Sequence, residues 1–142
     1  MTEICEFVDK VHKILSNFGY KYTFSSGTSS DDYIWILDFD SSKGTNPSQL
    51  SICDLKGEKD KDKDKVGIYY TSVLYHFSPS GTHSLTTKPF DKKIDIKKLK
   101  KFKFENLYKW AECQSSIYNN YTQVLKMKNI EERIKELNKD FK

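Results

Sequence analysis

A chain of 142 residues with 14% aromatic and 31% charged side chains fits one domain with enough large apolar area to offset the conformational entropy lost on folding, which argues against disorder or two domains. Its longest apolar runs, such as Tyr33 to Leu37, fall far short of the roughly 20 residues that cross a bilayer, so no membrane partner is expected. The sequence passes from Thr2 and Glu3 straight into a periodic pattern, without the basic stretch and apolar core of a secretory signal, and a cytoplasmic location is expected.

Ile4, Phe7, Val8, Val11, Ile14, Leu15 and Phe18 recur at helical spacing. Thr2 can cap the start of that helix and Gly19 can take a left-handed stop. Tyr20, Tyr22 and Phe24 then alternate with Lys21 and Thr23, predicting a half-buried strand that ends in the Ser25 to Ser30 stretch. Tyr33 to Phe39 and Gln49 to Leu55 read as the second and third strands, separated by a turn containing Gly44 and Pro47.

The segment Lys56 to Lys65 alternates lysine with acid and holds no apolar residue, so it reads as a solvated loop. Val66 to Phe77 is apolar on both alternating faces, as an internal strand requires. Ser78 to Gly81 has turn chemistry that would return His83, Leu85 and Thr87 as a fifth strand. Short connections throughout favour an antiparallel meander, because parallel pairing needs crossovers of about a dozen residues or more.

Beyond residue 104 the period is helical again. Leu107, Trp110, Ala111, Ile117, Tyr118, Tyr121, Val124 and Leu125 fit one face, and Ile130, Ile134, Leu137 and Phe141 fit another. Asn129 with Glu132 has the spacing of a capping box, which predicts a break near Lys128 and a separate terminal helix over 129–142. The expected architecture is therefore a single α+β domain over 1–142, with an N-terminal helix, an antiparallel meander of four or five strands and two C-terminal amphipathic helices.

Cys5, Cys53 and Cys113 are odd in number and widely spaced, without the paired spacing of a zinc or redox motif. They are expected to be reduced and mostly buried, and no metal or cofactor is expected. His76 and His83 flank the predicted hairpin turn and could meet across it, while His12 lies on the polar side of the first helix.

Charge is concentrated in one place. Residues 91–142 carry 14 basic and 8 acidic groups, whereas residues 1–90 carry 10 and 12. Lys92, Lys93, Lys97, Lys98, Lys100, Lys101 and Lys103 share their segment with a single acid, Asp95. Such a patch steers an anionic partner, which could be an acidic protein surface, a nucleoprotein complex or nucleic acid. Arg133 is the only arginine, and bidentate reading of base edges is mainly arginine work, so sequence-specific DNA recognition is disfavoured. Tyr22, Trp35 and Tyr69 are expected to pack in the core, with stacking of RNA bases on the sheet as their alternative use.

The expected function is stoichiometric binding without catalysis. The lysine segment supplies steering, and Ile134, Leu137 and Phe141 supply an apolar anchor or a homodimer contact. A small, motif-poor protein with an AT-rich codon signature also fits an inhibitor of a host defence nucleoprotein complex encoded by a virus or mobile element. The catalytic alternative places Asp38 and Asp40 at the end of one strand and Asp54 and Lys56 at the end of the next, where carboxylates could hold a divalent cation while the lysine stabilises developing charge. The order helix, strand, strand with Asp, strand with Asp-x-Lys over residues 3 to 56 resembles the core of the PD-(D/E)xK nucleases, which implies metal-dependent cleavage of nucleic acid.

Overall fold

The computed structural model describes residues 3–27, 30–39, 47–55, 65–77, 79 and 83–140. Helix α1 spans Glu3–Asn17, with Ile4, Phe7, Val11 and Leu15 buried along one stripe. It stops at Gly19, which takes φ 87°. There the Tyr20 N–H donates to the Leu15 carbonyl and the Gly19 N–H to the Ser16 carbonyl, both at 3.2 Å. This paired closure satisfies carbonyls that a helix end would leave orphaned.

Five strands follow: β1 Lys21–Ser26, β2 Ser30–Asp38, β3 Pro47–Leu55, β4 Lys65–Phe77 and β5 His83–Asp95. They pair antiparallel in sequence order, β1-β2-β3-β4-β5. The expected α+β meander is what forms, with β4 internal. The register aligns Tyr22, Trp35, Leu50, Tyr70 and Phe90 across the five strands, so these residues share the face on which α1 packs. Trp35, Leu50, Ile52, Val66 and Ile68 are fully buried there. β1 differs from expectation: all six of its residues are exposed. It is an edge strand beyond full cover of the helix, and Tyr22 and Phe24 rest against Trp35 and Tyr33 instead of entering the core.

After β5 the chain forms a 3-10 helix, Ile96–Lys101. Side chains three residues apart eclipse in this geometry, and Ile96, Leu99 and Phe102 have that spacing, with Leu99 buried. Phe102 and Phe104 close on Phe7 of α1 at ring separations of 5.0 and 5.5 Å, which anchors the junction to the core.

Helix α2 runs without a break over Phe104–Asp140, roughly 55 Å at 1.5 Å per residue. The expected break at Lys128 and Asn129 does not occur. The segment holds no Gly or Pro, its Lys, Glu, Leu and Met residues favour helix, and the Asn129 side chain can cap only where the preceding residues are not already helical. No helix among the described residues is long and apolar enough to cross a membrane.

The inner half of α2 is tied to β4 beyond its pairing with β3, whose last register pair is Gln49 with Thr71. Two residues on, the Val73 N–H donates to Gln114 Oε1 at 2.8 Å and Gln114 Nε2 donates to the Val73 carbonyl at 3.2 Å. The glutamine amide supplies the partners that β3 does not give at this level and satisfies both buried backbone groups. Trp110 Nε1 donates to Ser72 Oγ at 2.9 Å, and Tyr121 packs on Tyr75 and Phe39. Tyr20 reaches across to Ser48 at 2.7 Å and lies 5.9 Å from the Trp110 ring; burial pushes its phenol far above the ordinary value.

Candidate functional site

The lysine segment of the sequence is not one element. Lys92 and Lys93 close β5, while Lys97, Lys98, Lys100 and Lys101 belong to the 3-10 helix and Lys103 to the step into α2. The three-residue period divides the helical lysines into two rows, Lys98 with Lys101 and Lys97 with Lys100. Only the first row opens onto the large groove of the molecule, while Lys100 borders a small cleft with Glu6, Phe7 and Lys10.

That groove has a volume of about 1030 Å³ and lies between β5 and the start of α2. Seven lysines line it, at positions 65, 88, 92, 93, 98, 101 and 103. Asp95 is the one acid among its described lining residues, and Lys98 approaches it at 3.9 Å on the surface, a distance and exposure that neutralise little. Lys88, Phe90 and Lys92 alternate along β5 and so project from the same face. Their cross-strand partners are Ser72, Tyr70 and Ile68.

Aromatic side chains form the base of this basic channel. Tyr70 stands between Phe90 and Trp110, with centroids 6.2 and 5.1 Å away, and Phe102 closes one end. Phe90 is 59% exposed, unusual for so large an apolar side chain in a strand. Burial raises the Tyr70 phenol above its ordinary value, so the ring stays neutral. The channel thus offers cations at its rim and π-faces within, which suits a chain of phosphates carrying flat rings.

The other candidates fall elsewhere. Trp35 is fully buried and donates from Nε1 to His12 Nδ1 at 3.1 Å; its use is core packing. Tyr22 lies beside it, and Tyr69 is on the opposite face, where its ring lies over Gly67 so closely that a Cβ there would stand 2.9 Å from it. The three do not make one platform. Ile134 and Leu137 lie far along α2, the former roughly 36 Å from Trp110 at 1.5 Å per residue, and both are exposed. Phe141 is outside the described residues.

Asp38 and Asp54 are not brought together. Asp54 pairs with Asp31 at one end of β2, and Asp38 pairs with Pro47 at the other, roughly 23 Å away along seven residues and on the opposite face. Consecutive antiparallel strands end at opposite edges of a sheet, so the nuclease arrangement cannot assemble from these two carboxylates; Asp40 and Lys56 are outside the described residues. Among the described residues no three His, Cys, Asp or Glu cluster as metal donors. His76 aligns with Ser84 and bonds Thr86 at 3.0 Å. Cys5 and Cys113 are exposed and Cys53 is half-buried, against the expectation of mostly buried thiols: Cys5 sits off the stripe of Ile4 and Phe7, and Gln114, not Cys113, is the residue that α2 turns inward.

Lys65, Lys88, Phe90, Tyr70 and Trp110 complete the groove but lie outside the lysine run that the sequence makes conspicuous. The detectable signal was the alternation Lys88, Phe90, Lys92, which continues the fifth strand past Pro89. No family model, no curated protein and no solved structure matches the chain.

Proposed function

We propose that this chain is a non-catalytic binding protein whose basic, aromatic groove holds a single strand of nucleic acid. The observation that carries the reading is the coincidence, in one channel, of seven lysines, a single acid and the rings of Tyr70, Phe90, Phe102 and Trp110. Lysines alone would serve any polyanion. Rings between them, Phe90 exposed and the others half-buried, favour unpaired bases, because every base has a face that stacks and each stack contributes about 1–3 kcal/mol. Lysine point charges in place of arginine forks fit binding that tolerates sequence. An inhibitory role against a nucleoprotein complex, expected from the sequence, would act by holding that complex's nucleic acid in the same groove.

The test compares lysines that line the groove with lysines of the 3-10 helix that do not. Anisotropy titrations with a labelled single-stranded oligonucleotide compare Lys92→Glu/Lys101→Glu with Lys97→Glu/Lys100→Glu, two variants of equal net charge. The first should abolish binding and the second should leave most of it. Equal losses would mean a diffuse charge effect, and tighter capture of an acidic peptide than of the oligonucleotide would replace the nucleic-acid reading by a protein one.

A further inference from the structure

We infer that the outer half of α2 pairs in parallel with the same segment of a second copy of this chain. From Leu125 to Lys139 every side chain of the helix is exposed, yet the segment is not uniformly polar. Met127, Ile130, Ile134 and Leu137 follow one another at spacings of three, four and three, and are 64, 55, 51 and 57% exposed. This is the a and d pattern of a two-helix seam, with Ile134 at a and Leu137 at d, the combination that favours two strands.

The position of the stripe matters as much as its composition. The body half of α2 buries Leu107, Ala111, Gln114 and Tyr121. At 100° per residue the centre of that face and the centre of the Met127 to Leu137 stripe lie roughly 180° apart. The stripe therefore cannot fold back onto its own domain, and two helices joined along it carry their domains on outer sides, clear of each other.

Charge selects a second copy and the direction of pairing. In the parallel arrangement Lys126, at g, faces Glu131, at e, of the other chain, once on each side of the seam. The antiparallel register that keeps the same four apolar residues inside sets Glu131 against its own copy and Arg133 against its own copy, which repel. Upstream the same stripe continues through Asn120 and Gln123, both exposed; Asn120 takes an a position, where paired asparagines fix parallel, two-stranded register. The pair would present two basic grooves to one strand, raising apparent affinity through effective concentration.

Sedimentation equilibrium of the full chain tests the pairing directly. The wild type should show a concentration-dependent species of twice the 16.7 kDa chain mass. Ile134→Glu should raise the dissociation constant at least about tenfold while leaving the circular dichroism spectrum and single-site oligonucleotide binding intact, since Ile134 lies outside both core and groove. Lys126→Glu should weaken pairing, and Lys126→Glu/Glu131→Lys should restore it. A chain that stays at 16.7 kDa at every concentration, or a dimer indifferent to Ile134→Glu, overturns the proposal; failure of the charge swap to rescue overturns the parallel arrangement. Loss of oligonucleotide binding by the groove variants leaves this outcome unaffected, so the two readings fail separately.

Discussion

The two halves of α2 belong to one unbroken helix and have opposite fates. Over 104–121 the helix spends its apolar stripe on the sheet, with Leu107 and Ala111 buried and Gln114 closing the edge of β4. Over 125–139 the stripe has moved to the other side of the cylinder and meets solvent. Propensity decides that a segment is helical, whereas the phase of its apolar residues decides what it can touch. A continuous helix can thus belong to a domain at one end and be available for association at the other.

The contrast is sharpest in stability. Leu107→Ala should cost about 2–5 kcal/mol in denaturant unfolding, the range for a large-to-small change in a packed core. The same change at Ile134, measured at concentrations where the chain is monomeric, should stay within about 0.5 kcal/mol. Gln114→Leu is expected to cost roughly 2–4 kcal/mol, because it leaves the Val73 N–H and carbonyl without a partner in a buried place; an unchanged midpoint would show that this bond does not hold the helix. Removing residues 126–142 should move the melting temperature of the dilute chain by only a few degrees, corresponding to less than about 1 kcal/mol.

The smallest effect concerns alkaline pH. Burial raises the phenols of Tyr20 and Tyr70, which lie against the inner half of α2. A group whose folded pKa is raised contributes stability that is complete below its unfolded value, about 10 for tyrosine, and declines as pH climbs above it. Unfolding midpoints should therefore fall above about pH 10, and Tyr20→Phe should flatten the fall. Truncation of the outer half should leave the profile unchanged.

These contrasts also show what the sequence made legible. Gly19 announced its turn because a left-handed residue at the end of an apolar period has few other uses. The five strands followed from alternation and short connections. The end of β5 was obscured by Pro89 and by lysines that resemble a loop, although Pro is tolerated on an edge strand. The two faces of the terminal segment are visible in the sequence, whereas the capping-box spacing of Asn129 and Glu132 points to a break that the helix does not make. The groove was only half visible: Lys92, Lys98, Lys101 and Lys103 stood out as charge, whereas Tyr70 and Trp110 looked like core, and register across β4 and β5 was needed to place them beneath the lysines.

The same register separates two carboxylates of the catalytic constellation. Asp38 and Asp54 fall at opposite ends of β2 and β3 because the strands are antiparallel and consecutive, a consequence of short connections that could be drawn without coordinates.

Tryptophan fluorescence tests the central claim most directly. Trp35 is sealed in the core and Trp110 lines the groove, so a ligand stacking in the channel should quench Trp110 while leaving the Trp35 signal. Titration with a single-stranded oligonucleotide should give saturable quenching whose affinity falls with salt, with a logarithmic slope of about −0.7 for each phosphate neutralised. Phe90→Ala should weaken it by about 1–3 kcal/mol. Saturable binding that leaves Trp110 unquenched, or no salt-sensitive binding at all, would contradict the groove as the site.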